Sequence, residues 1–159
     1  METTHGIRWY TDGSKTKIGC GAGVYGRTPR VNYYTSLGKH TSVFQAEVYA
    51  LLACAEMNIR RGYKGRPITI YTDSQTAMKS LENPRTTSKL VKNCKDFLNR
   101  LSKVNQVSIC WVPSHAGIEG NETADQLAKK GAESSFIGPE LVLGVSRSTC
   151  WLEIQDWLV

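Results

Sequence analysis

The hydrophobic period of this chain changes near Ser42, and that change limits the folds open to it. Before it, apolar and aromatic residues fall in three short runs: GIRWYT (6–11), GCGAGVYG (19–26) and VNYYTSLGK (31–39). These read as strands. The first is expected to end at Asp12-Gly13, and Arg27-Thr28-Pro29-Arg30 marks the turn between the other two. After Ser42 the spacing becomes helical, through Phe44, Val48, Leu51, Leu52 and Ala55 toward Ile59, with Gly62 as the stop. PITIYTD (67–73) is a fourth strand. A helix then starts at Asp73 or Ser74, runs to about Leu81 and is broken before Pro84. Leu90, Val91, Cys94, Phe97, Leu98 and Leu101 form the stripe of a third helix. QVSICWV (106–112) is the last strand. Residues 121–133 make a fourth helix, with Asn121 or Thr123 as its cap. Three strands followed by β/α alternation predict an α/β layer with a mixed sheet, antiparallel first and parallel later.

At 159 residues the length suits one domain. Gly138-Pro139 separates a different stretch, in which Trp151, Leu152, Ile154, Trp157 and Leu158 can line one face of a helix. We therefore expect a domain over 1–137 and an extension over 138–159, either docked on the domain or leading into a larger polyprotein. No apolar window is long enough to span a membrane. METTHGIRWY lacks the pattern of a signal peptide, so an intracellular, reducing location is expected. The five cysteines are widely spaced without a CxxC pair, and read as buried small hydrophobes. A net charge of +6 points to a polyanionic partner.

The chemistry lies in the acids. WYTDGS (9–14) and IYTDSQ (70–75) each deliver an aspartate, Asp12 or Asp73, at the expected carboxyl end of a strand, where α/β sheets build their sites. Glu47 interrupts an otherwise apolar helix. Asp125 does the same among Ala124, Leu127 and Ala128. Inward carboxylates repel one another and are costly to bury unless a cation joins them. Oxygen-only ligands suit Mg²⁺ or Mn²⁺, and a pair of such ions serves in-line phosphoryl displacement. A basic chain with such a site reads as a metal-dependent nuclease. The loop WVPSHAG adds a lone histidine, His115. Neither a GxSxG elbow nor a GxxxxGK[ST] loop occurs, which disfavours serine-hydrolase and P-loop chemistry.

Four segments, YTDGS (10–14), QAEVYAL (45–51), YTDSQ (71–75) and WVPSHAGIEGNETADQLA (111–128), together resemble the type 1 ribonuclease H family. The last is most similar to the ribonuclease H domain of retrotransposon reverse transcriptases, especially those of non-LTR elements. The resemblance implies a ribonuclease H-like fold: a five-stranded mixed sheet, three antiparallel strands and then parallel ones, flanked by helices. It implies two-metal-ion hydrolysis of the RNA strand of RNA–DNA hybrids, with two Mg²⁺ ions or Mn²⁺ as substitute, during retrotransposon reverse transcription. A covalently linked reverse transcriptase domain is an expected partner.

The same resemblance makes Asp12, Glu47, Asp73 and Asp125 metal ligands and assigns His115 to proton transfer or product release. Glu122 is placed beside the second metal. Gln75, Ser42, Thr41, Ser14 and Gly13 are placed at the substrate, Gln75 reaching the minor groove where 2′-hydroxyls mark RNA. Two departures stand out. Val43 and Phe44 replace the asparagines of cellular bacterial members. The stretch 81–106 offers a single basic helix (Lys89, Lys92, Lys95, Arg100, Lys103) where those members insert a further basic element. A silent scaffold of the same fold is the alternative reading; a DNA-cutting relative is disfavoured by Gln75 and the His115 loop.

Overall fold

The computed structural model describes residues 6–134. It contains β1 (Ile7–Lys15), β2 (Cys20–Arg27), β3 (Arg30–Gly38), α1 (Val43–Arg60), β4 (Pro67–Thr72), α2 (Gln75–Glu82), α3 (Lys89–Ser102), β5 (Gln106–Trp111) and α4 (Glu119–Glu133). The strands form one five-stranded sheet in the order β3-β2-β1-β4-β5. β1 pairs antiparallel with β2, and β2 with β3. β4 runs parallel to both β1 and β5. The mixed sheet expected from the period change is therefore present, with parallel pairing confined to its second half.

The helix after the period change is locally encoded. Ser42 Oγ accepts the Gln45 N–H at 3.1 Å, and Gln45 Oε1 accepts the Ser42 N–H at 3.0 Å, a reciprocal capping box. Gly62, at φ 69°, ends the turn beyond α1 in the left-handed region. Between these stops Val48, Leu51 and Ala55 are buried against Trp9, Ile68 and Ile70 of the sheet and Leu90, Val91, Cys94, Leu98 and Leu101 of α3. Cys20, Cys54 and Cys94 are buried free thiols, as small hydrophobes would be, and Cys110 is half-buried.

α4 lies on the opposite face, seated by glycines. A Cβ added to Gly21 would fall 2.1 Å from the Ala132 nitrogen and 2.3 Å from the Ala128 carbonyl oxygen. On Gly23 it would meet the Ala124 carbonyl oxygen at 2.5 Å. Their neighbours Cys20 and Ala22 pack instead with Ala46 and Ala50 of α1, as strand alternation requires. The run GCGAGVYG thus presents a helix to each face.

Two expectations need correction. β1 does not end at Asp12-Gly13; it continues to Lys15 because Asp12 through Lys15 stay paired with Gly23 through Cys20 of β2. Its parallel ladder with β4 does stop, at Thr11 opposite Thr72. Asp12 is the next residue, so it emerges where the parallel ladder ends although the strand does not.

The second correction concerns α4, which begins at Glu119 with Ile118 as cap and no side-chain capping bond. Asn121 is buried within the first turn, and the Thr123 hydroxyl donates back to the Glu119 carbonyl at 2.9 Å. Packing sets this start: Gly120 lies flat on Tyr10, whose ring would be 2.3 Å from an added Cβ. Glu119 and Glu122 supply first-turn negative charge to the uncapped N–H groups. The expected extension over 138–159, including Cys150, lies outside the described residues.

Candidate active site

Asp12 is buried on β1, and its Oδ1 accepts the Gly13 N–H at 2.9 Å. Gly13 also fixes the second acid. A Cβ there would lie 2.5 Å from the Glu47 nitrogen, so absence of a side chain lets α1 rest directly on the strand. Glu47 is thereby carried, buried, beside Asp12. Asp73 follows the last residue of β4. It is not the cap of α2: Ser74 takes that role, accepting the Ala77 N–H at 3.1 Å. Thr72 Oγ1 accepts the Ser74 N–H at 3.1 Å, and the Trp111 indole N–H donates to the Asp73 carbonyl at 3.2 Å. The backbone of Asp73 is pinned on both sides, and its carboxylate is left to the site.

One carboxylate oxygen from each of Asp12, Glu47 and Asp73 lies within 4.8 Å of the others. Burial, then the negative charges of Glu47 and Asp73, then Asp125, pushes Asp12 up to about 10. Glu47 rises to about 8, from burial first and the charge of Asp73 next; hydrogen bonds from Asp12 and the Gly13 N–H restrain it. Glu47 Oε2 is buried with no hydrogen-bond partner. An orphaned buried carboxylate oxygen among repelling carboxylates is what a hard divalent cation relieves. These three residues fit such an ion.

Asp125, half-buried on α4, stays outside that mutual group but acts on Asp12 by hydrogen bond and charge. Its Oδ2 lies 2.8 Å from the Lys129 ammonium. His115 is exposed between β5 and α4 at φ 55°, in the left-handed region, with Gly117 at φ 76° two residues on. Glu122 is exposed in the first turn of α4, and Gln75 is exposed as the first residue of α2.

The remaining substrate candidates divide. The Thr41 hydroxyl is buried and donates to the Leu37 carbonyl at 2.6 Å. Ser42 is half-buried at the α1 N-terminus, and Ser14 is buried on β1. Sequence reasoning missed Trp111 and Lys129. The first carried no signal, since an indole bonding a carbonyl 38 residues away is tertiary. Lys129 did carry one, the i,i+4 spacing from Asp125.

Fold and site together define an α/β protein in which three carboxylates, two of them buried, converge where its parallel ladder ends, with oxygen ligands for a divalent cation. The chain belongs to the RNase H family, whose profile matches residues 4–133. It is similar to Ribonuclease H1 of Rattus norvegicus, 30% identical over 144 residues covering 79% of this chain and 50% of the relative. Ribonuclease H1 of Mus musculus is 30% identical and that of Homo sapiens 31%, each with the same coverage. The chain thus spans about half the length of the curated relatives it matches. Among the described residues, no helix is long and apolar enough to cross a membrane.

Proposed function

We propose that this chain hydrolyses the RNA strand of RNA–DNA hybrids, with divalent cations held by Asp12, Glu47, Asp73 and Asp125. The observation that carries the reading is the convergence of Asp12, Glu47 and Asp73 within 4.8 Å in a chain of the RNase H family. Mg²⁺ is the working ion and Mn²⁺ its substitute. Bound there, such ions supply an activated water and a counter-charge for the leaving oxygen.

The chain's own residues do the rest. Buried Asp12 and Glu47 hold a fixed, water-poor oxygen cage, with Gly13 N–H donating into it. Exposed His115, on a turn free to reach outward, moves protons or helps product leave. Gln75, at the start of α2 two residues beyond Asp73, reads the hybrid's minor groove. Exposed Lys89, Lys92 and Arg100 of α3, with Lys103 at its C-cap, meet its phosphates. Ser42 presents its hydroxyl at a helix N-terminus, where a phosphate is favoured.

The wider setting is retrotransposon reverse transcription, with 138–159 as an extension outside the catalytic unit and a reverse transcriptase domain covalently linked. WVPSHAGIEGNETADQLA and the tryptophan-bearing tail support that setting. The test is incubation with a labelled RNA–DNA hybrid, an RNA duplex, a DNA duplex and single-stranded RNA, each with Mg²⁺, Mn²⁺ or chelator. Cutting confined to the RNA of the hybrid and to metal-containing tubes is the expected result. No cutting of any substrate would favour a silent scaffold of the same fold, and cutting of the DNA duplex would favour a different nuclease.

A further inference from the structure

Among the described residues, Asp125 has an ammonium partner that the three converging acids lack. Lys129 Nζ sits 2.8 Å from Asp125 Oδ2, one turn further along α4. An exposed i,i+4 pair is common on helices and usually contributes little. The setting here is different. Asp125 adjoins Asp12, and behind Asp12 lie Glu47 and Asp73, a concentration of acid facing one ammonium group. The field of Asp12 acts on Lys129 as well as that of Asp125. The lysine side chain is 54% exposed and that of Asp125 22%, so the ammonium reaches from solvent to a partly buried acid. Asp125, with Oδ2 so engaged, is the acid that stays outside the 4.8 Å group.

We propose that Lys129 is a tethered cation that competes with a divalent ion for Asp125. The inference rests on the reading of Asp125 as a ligand given above. An ammonium 2.8 Å from Oδ2 repels a divalent ion brought to the same carboxylate. The ion is therefore bound more weakly while Lys129 holds Oδ2, and the exposed lysine has room to swing outward along its flexible stem. The residue sets how much free ion is needed to fill the Asp125 side of the site; acting through Asp125, it is a positioning residue.

The test is calorimetric titration of Mg²⁺, and separately Mn²⁺, into substrate-free protein at fixed ionic strength. Wild type, K129M, K129R, D125N and the K129M/D125N double variant are compared, with circular dichroism to check each fold. Removing one positive charge next to the ligand is expected to tighten the step that D125N abolishes, by roughly threefold to tenfold. K129R should stay within about twofold of wild type, and K129M should gain nothing once Asp125 is gone. Unchanged or weaker binding in K129M, with wild type still binding, overturns the competition alone. Absence of ion binding in wild type would remove the site reading, and the role of Lys129 with it.

Discussion

Asp12 and Glu47 sit where water barely reaches, and each also carries its neighbours' negative field. Without metal, burial and the neighbouring acids raise both well above their ordinary values of 3.8 and 4.5, Asp12 to about 10 and Glu47 to about 8. A raised folded-state pKa means that the folded form binds more protons than the unfolded chain between those limits. Stability from this source is complete below about pH 4 and is lost as pH rises through 8 toward 10. Thermal melts in chelator are thus expected to fall from pH 5 to pH 9, and D12N should flatten the slope. Mg²⁺ should raise the melting temperature more at pH 9 than at pH 5, because protons compete with it at low pH. A chelated melting temperature that stays flat or climbs with pH would contradict this. At this scale the acids were legible, since a carboxylate inside an apolar helix such as Glu47 demands a reason. Whether four acids meet at one point was not, and Asp125 turns out to share itself with Lys129.

At the scale of elements, glycines rather than large side chains decide where the helices sit. Gly21 and Gly23 admit α4 to the sheet, and Gly13 admits α1. Gly21→Ala would drive a Cβ into backbone atoms of α4 that cannot rotate away, at 2.1 and 2.3 Å. We expect a loss of about 3 kcal/mol by denaturant unfolding, with Mg²⁺ affinity weakened as Asp125 shifts away from Asp12. A variant as stable as wild type would mean that α4 is not seated there. Most elements followed from periodicity and caps, α1 most fully because Ser42 and Gln45 encode its start. Two boundaries did not. Asp12-Gly13 looks like a turn until β2 is seen to pair with it, and α4 starts by lying on Tyr10 instead of by a polar cap. Both are set by contacts distant in sequence, which no local pattern reports.

For the molecule as a whole, charge would decide how the proposed hybrid substrate is held. The +6 net charge includes the exposed Lys89, Lys92 and Arg100 of α3, Lys103 at its C-cap, and Lys95, which is half-exposed and bonded to the Asn83 carbonyl. With about four phosphate contacts, hybrid affinity should fall roughly a hundredfold between about 50 and about 200 mM salt, as counterion release requires. Fluorescence anisotropy with a labelled hybrid in Ca²⁺ measures this. Affinity unchanged over that range would remove α3 from the interface.

The proposed function requires Asp12, Glu47 and Asp73 to hold the ions that would make this chain a nuclease. It is tested most directly by cleavage of a labelled RNA–DNA hybrid in Mg²⁺ by wild type and by D73N, with matched circular dichroism spectra. Wild type should cut the RNA strand and D73N should lose at least about a hundredfold in rate, since the ligand's charge is removed without loss of volume. Full activity in a folded D73N protein would contradict the account.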